Sequence, residues 1–280
     1  MSDFLYKYLD FISARNALKS QTLCWASASI IRDIDIYLAV SFDKEQVILD
    51  SLEKMWNAYI GECPLSQGNT ISDALQTFRE VCPDLTKDLF TKWLMNNNVE
   101  SIRYLDQGVV ETTRLAKSCL FKSEILCMTE SPNSELMWRN YADNHKGVVL
   151  QFKRASILND SHVTAKPVKY VSSAHHLFNK SVMSDYLAGL MTFDCKFIID
   201  SFIFTNSVAL AHEREWRICS NKTREKSSQF EGRHFVKEEL NAIILGRNMP
   251  EAEVSSLSEL IKILYSHSKI LQAGTVQYKG

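Results

Sequence analysis

The chain has 280 residues, 45% of them hydrophobic and 23% charged, with nine glycines and five prolines. That length supports one or two globular domains, and the composition is neither disordered nor fibrous. A formal net charge of −1 excludes a dominant electrostatic grip on nucleic acid or an anionic membrane, leaving room only for a local basic groove.

The N-terminus, MSDFLYKYLDFIS, lacks the basic start, apolar run and small-residue cleavage site of a signal peptide. LYKYLDFISARNALKSQTLCWAS reads as a short strand, a helix near residues 13–19 and a second short strand. From Asp43 to about Leu120 the texture turns helical. Val47, Ile48, Leu52, Met55, Trp56 and Tyr59 recur at helical spacing, Pro64 and Pro83 separate the helices, and a last helix is predicted from Val99 to Lys117. EILCMTE, GVVLQF, KPVKYV, EWRICS and NAIILG then follow as the apolar, β-branched runs of core strands. Residues 175–206 read as one or two helices, with His175 and His176 near the start as solvated or capping residues. AEVSSLSELIKILYS reads as another helix with Leu257, Leu260, Ile261 and Leu264 inward, and the C-terminus returns as a strand. Residues 221–233 are predicted to form a mobile loop. The expected architecture is α+β: one domain over residues 1–280, with a mixed or antiparallel β core and a mostly helical insertion at 43–120.

No apolar run reaches the roughly 18 residues of a spanning helix, and the nearest, Phe197 to Leu210, is interrupted by Asp200, Ser201, Thr205 and Asn206. Seven cysteines, with no C-x-x-C pair, are expected as reduced thiols in a cytoplasmic protein rather than as a disulfide framework or a zinc site. His212-Glu213 does not open an H-E-x-x-H zinc motif, because Trp216 occupies the matching position. No other His/Asp/Glu cluster has ligand spacing, so no metal is expected. A P-loop, a G-x-S-x-G elbow and a G-x-G-x-x-G fingerprint are also missing from the sequence.

Two stretches carry chemistry. In EILCMTESPNSELMWRNYADNHKGVVLQF a strand ends near Thr129, and Ser131-Pro132 is predicted to open a helix, serine as N-cap and proline at the first helical position. Met137, Tyr141 and His145 then share a face, with Trp138 beside them, and Gly147 is predicted as a left-handed cap. Thr129 and Ser131 at such a helix start could receive a phosphate or a ribose; alternatively, the aromatics simply pack a core. In AHEREWRICS a period of two places Trp216 and Ile218 on a core face and Glu213, Glu215 and Arg217 on the other. Two carboxylates and a guanidinium together suit the stabilisation of a sugar cation and the orientation of a nucleophile. On a solvated strand the same residues would form a surface ladder worth about 0–1 kcal/mol.

LYKY at residues 5–8, LMWRNYADNHKG at 136–147, VKY at 168–170, HEREWRI at 212–218 and IILG at 243–246 resemble, in this order, a widespread bacterial family of uncharacterised domains. The likeness spans nearly the whole chain, and LMWRNYADNHKG is its most specific block. The family's layout is similar to that of mono-ADP-ribosyltransferases: an early strand contacting NAD, a middle strand bearing Ser or Thr, and a late strand bearing the catalytic Glu. This resemblance implies an ADP-ribosyltransferase-like core with NAD as substrate and a protein or nucleic acid as acceptor, in a toxin or antiviral defence effector. It implies that Glu215 holds the nicotinamide ribose hydroxyl and favours the oxocarbenium-like state as nicotinamide leaves, while Glu213 orients the acceptor. Thr129 and Ser131 would support the nicotinamide end, and Tyr6, Lys7 or Tyr8 would hold the dinucleotide. Trp138, Tyr141, His145 and Arg217 complete the implied binding set.

Two departures stand out. Transferases of this kind place Arg or His on the first strand, where this chain offers Lys7 between tyrosines, and lysine lacks arginine's two-pronged phosphate grip. The family's F-N-D-P-F stretch is replaced by ASIIRDIDIYL, which keeps only an aspartate, Asp33 or Asp35. The same carboxylates would serve NAD or nucleoside hydrolysis with water as acceptor. A non-catalytic sensor or interaction module, with the two blocks as a structural hub, is a third reading.

Overall fold

A computed structural model describes residues 3–30, 34–96, 98–158, 163–172, 176–220 and 229–274. Its strands are β1 (Phe4–Leu9), β2 (Thr22–Ser27), β3 (Val40–Ser41), β4 (Glu124–Thr129), β5 (Val148–Lys153), β6 (Val163–Pro167), β7 (Lys169–Val171), β8 (Phe178–Asn179), β9 (Thr205–Ser207), β10 (Glu215–Ser220), β11 (Phe230–His234), β12 (Leu240–Leu245) and β13 (Lys269–Gln272). The helices are α1 (Phe11–Ser20), α2 (Ile34–Tyr37), α3 (Lys44–Tyr59), α4 (Thr70–Val81), α5 (Lys87–Asn96), α6 (Asn98–Lys122), α7 (Glu135–Tyr141), α8 (Arg154–Leu158), α9 (Lys180–Leu187), α10 (Cys195–Phe202) and α11 (Glu251–Leu264). The fold is α+β, with a mixed, mostly antiparallel sheet.

The chain divides into two compact units. One comprises residues 1–31, 120–173 and 203–280, and the other residues 32–119 and 174–202. In the first, strands run in the order β11-β2-β4-β1-β5-β12-β13, while β10 lies against β4 and carries β6 on its far side. Within this sheet the pairings are antiparallel except for β12 with β13, which α11 connects as a crossover, and the separate two-stranded pair β7–β9 is parallel. Alternation decides which residues face which layer. Leu5, Leu126, Met128, Leu150, Trp216, Ile218 and Ile243 form one apolar face, packed with Leu18 of α1 and with Leu257 and Ile261 of α11. Tyr6, Tyr8, Val149 and Ile244 point to the opposite face, where Trp138 of α7 covers them.

The sequence marks most of these boundaries. Asp10 caps α1 by accepting from the Ser13 amide, and Asp43, Asn69 and Asn179 cap α3, α4 and α9 in the same way. The segment 221–233, predicted as a mobile loop, departs from expectation where it is described. Phe230–His234 pairs antiparallel with β2 along its whole length, and residues 221–228 lie outside the described set, as do His175 and Asp33.

The second unit is mostly helical. Trp56, Tyr59, Phe78, Phe90 and Trp93 of α3, α4 and α5 form a chain of ring contacts with centroids 5.1–6.4 Å apart. Cys119 and Cys195 form a disulfide within this unit, against the expectation that all seven cysteines are reduced. Sequence spacing gave no sign of the pair, because 76 residues separate the two sulfurs along the chain and only the fold brings them together.

Candidate functional site

The register of three strands assembles the site. Glu215 of β10 pairs with Thr129 of β4, and Thr129 pairs with Tyr6 of β1. Residues directly opposite in a ladder share a face, so Tyr6, Thr129 and Glu215 form one row across three strands. Gln151 of β5 extends it: its amide donates to the Tyr6 hydroxyl at 3.0 Å and accepts from Asn241 at 2.7 Å. Two residues along, Arg217 faces Cys127.

This row is not a solvated ladder. Glu215 is 8% exposed and Arg217 6%, so the surface reading is set aside. The Arg217 guanidinium donates to Glu215 Oε2 at 3.0 Å and to the Ile203 carbonyl at 2.6 Å. Asn206 donates to the same carboxylate oxygen at 3.4 Å, and the Glu215 amide donates to the Tyr170 hydroxyl at 2.8 Å. Arg217 Nε is buried with no acceptor among the described residues. Burial opposes the Arg217 charge, but the Glu215 carboxylate more than offsets it, leaving the guanidinium pKa raised. Burial, reinforced by the Glu215 charge, pushes the Cys127 thiol up to about 12.

Glu213 reaches the site by a different route from the one predicted. It ends a 3-10 turn, Val208–Glu213, and Arg214 then adopts a left-handed conformation with φ of 45°, so the strand begins only at Glu215. The reversal makes strand alternation irrelevant to Glu213. Its carbonyl instead accepts from Thr129 Oγ1 at 2.6 Å, and its carboxylate accepts from the Tyr141 hydroxyl at 2.8 Å. Burial raises the Tyr141 pKa, helped by that hydrogen bond and by the charges of Glu213 and Glu215. Tyr170 is raised by burial and by the same two charges. Both carboxylates therefore act on both phenols, which places the two glutamates in one electrostatic site.

The helix after β4 starts later than the sequence suggested. Ser134, not Ser131, is the N-cap of α7, accepting from the Met137 amide. Ser131 belongs to the turn before it: its amide donates to Thr129 Oγ1 at 3.0 Å and its carbonyl accepts from Tyr8 at 2.9 Å. The helix ends at Tyr141, so His145 lies beyond the face on which it was expected. Asp143, Asn144 and His145 carry the positive φ angles predicted for Gly147. Gly147 is needed for space instead, since a Cβ there would sit 2.2 Å from the Leu9 carbonyl oxygen.

The expected binding set thus separates. Tyr6, Thr129, Tyr141 and Arg217 gather around Glu213 and Glu215. Tyr8 and Trp138 pack edge to face at 5.3 Å in the core. His145 stacks on Trp138 and meets Glu135 and Arg247 at 3.0 and 3.1 Å. Lys7 turns away from the tyrosines, its ammonium donating to the Cys127 carbonyl at 2.9 Å. Tyr170, Asn206 and Cys127 are site residues that the sequence reading missed. Cys127 was accessible in principle, standing two residues before Thr129 on one strand, whereas nothing in the sequence ties Tyr170 or Asn206 to Glu215. Among the described residues no group of three or more His, Cys, Asp or Glu side chains could hold a metal ion, and no helix is long and apolar enough to cross a membrane.

Residues 137–218 match the model of a family described as a protein of unknown function, DUF2971. The matched stretch includes Tyr141, Tyr170, Asn206, both glutamates and Arg217. No curated protein and no solved structure matches the chain.

Proposed function

We propose that this chain is an ADP-ribosyltransferase-like enzyme that uses NAD to modify a protein or nucleic acid. The observation that supports the reading is the row Tyr6–Thr129–Glu215, in register across three strands, with Glu213 delivered beside it. In this reading the bond between ribose C1′ and nicotinamide breaks and its electron pair leaves with nicotinamide. Glu215, its orientation fixed by Arg217 and Asn206, accepts a hydrogen bond from a ribose hydroxyl and faces the positive charge developing on the sugar. Glu213, oriented by Tyr141, takes the proton of the acceptor group as that group bonds to C1′. Thr129 holds the Glu213 backbone, which sets the spacing between the two acids. A role as a toxin or defence effector would follow from the acceptor.

A structural hub is the second reading, favoured by the Arg217 and Asn206 bonds that already engage the Glu215 carboxylate. Purified protein incubated with labelled NAD and cell lysate separates the two. Transferred label or free nicotinamide is expected, falling about 10²- to 10³-fold in Glu215→Gln. Because that change also leaves Arg217 buried without its counter-ion, Glu213→Gln is the cleaner variant. It should lose transfer while its melting transition stays near wild type. Native protein that gives neither transferred label nor free nicotinamide, or activity that is unchanged in both variants, rejects the enzyme. Free nicotinamide without transferred label marks a glycohydrolase.

A further inference from the structure

A strand has two edges, and β10 occupies one edge of β4 from Ile125 to Thr129. β1 and β2 therefore share the other. Tyr6 pairs with Thr129 at one end, and Ala26 and Ser27 pair with Ile125 and Glu124 at the opposite end. Between them, at residues 126–128, no described strand pairs with this edge and the sheet forks, with α1 linking the two prongs. The fork encloses a cavity of about 520 Å³, a size suited to a small organic ligand.

Lys7 and Cys127 lie in this cavity, with apolar walls from Leu9, Ala17, Leu23 and Ile125. The Lys7 ammonium has three donors, and its one acceptor among the described residues is the Cys127 carbonyl. No described carboxylate pairs with it. Glu231 also lines the cavity, beside Glu124, which is paired with Arg233. A half-buried cation with donors to spare and apolar surroundings favours an anionic guest.

We propose that the fork cavity binds a small organic anion, its carboxylate or phosphate held by Lys7 and its apolar body against Leu9, Leu23 and Ile125. Two sources share this chemistry, a nucleotide phosphate and an aromatic carboxylate. The cavity adjoins the candidate site through Cys127 but is distinct from its catalytic acids, since neither Glu213 nor Glu215 lines it.

Calorimetric titration with AMP and with 2-naphthoate distinguishes the sources. One probe is expected to bind the native protein, at least about tenfold more weakly in Lys7→Met, which keeps the stem and removes the charge. Gly232→Leu supplies an independent variant. Gly232 lines the cavity, and a Cβ there meets nothing closer than Thr22 Oγ1 at 3.5 Å, so the added side chain fills the space without displacing backbone. It should abolish binding with the melting transition preserved. Glu213→Gln should bind the probe normally even where transfer is lost. Failure of both probes at millimolar concentration overturns the site, as does native affinity in either folded cavity variant. If Lys7→Met does not fold, Gly232→Leu decides alone.

Discussion

The two faces of the β4–β10 pair come from the same pair of six-residue strands and are both withdrawn from water, yet different physics holds them. On one, Leu126, Met128, Trp216 and Ile218 pack among apolar neighbours, and burial stabilises them without demanding a particular partner. On the other, Thr129, Glu215 and Arg217 are buried polar groups, each of which must find a geometrically correct partner or cost stability. The apolar face supplies free energy and tolerates adjustment. The polar face contributes little net free energy but fixes atoms to within a hydrogen bond, which is what a reacting centre needs.

The sharpest break of this comparison is Trp216→Ala, expected to cost about 3–5 kcal/mol in denaturant unfolding. A loss below ~1 kcal/mol would mean the apolar face does not carry the fold. Arg217→Met is expected to cost about 3 kcal/mol, because Glu215 is left buried without its cation. Adding Glu215→Leu should restore much of that loss, and a double variant as unstable as the sum of the singles would contradict the pairing. Thr129→Val keeps the shape and removes the bonds to the Glu213 carbonyl and from the Ser131 amide, so about 1–2 kcal/mol is expected.

A further effect concerns pH. The Cys127 thiol is raised from 9.0 to about 12 by burial and by Glu215, so folding favours its protonated form. That contribution is complete below pH 9 and is lost as pH rises toward 12. Cys127→Ala should therefore show a shallower fall in melting temperature than wild type across this range. At pH 8, a thiol reagent should label exposed Cys24 well before Cys127.

How much of this was legible beforehand follows from range. Capping is local, so Asp10, Asp43, Asn69 and Asn179 announce their helices, and alternation along β10 sorts Trp216 and Ile218 from Glu215 and Arg217 without further information. The same alternation misled at Glu213, where one left-handed residue, Arg214, resets the direction of the chain. The Ser131-Pro132 signal also misled. Thr129 Oγ1 accepts from the Ser131 amide and the Tyr8 hydroxyl donates to the Ser131 carbonyl, drawing Ser131 into a turn and leaving Ser134 to cap.

The sequence by itself determined the strands with the strongest apolar runs, β1, β2, β4, β5, β10 and β12, the two faces of β10, and that two carboxylates and an arginine stand close together along the chain; it did not show β8 and β9, in a stretch read as helix, or β11, read as a loop. Only the tertiary structure decided that those charges are buried, that Tyr6 of the first strand and Thr129 of the fourth line up with Glu215, and that Gly147 must lack a side chain because the Leu9 carbonyl passes against it. The physical reason is that periodicity encodes direction relative to a local axis. Burial and cross-strand register depend on partners from about 80 to more than 130 residues away along the chain.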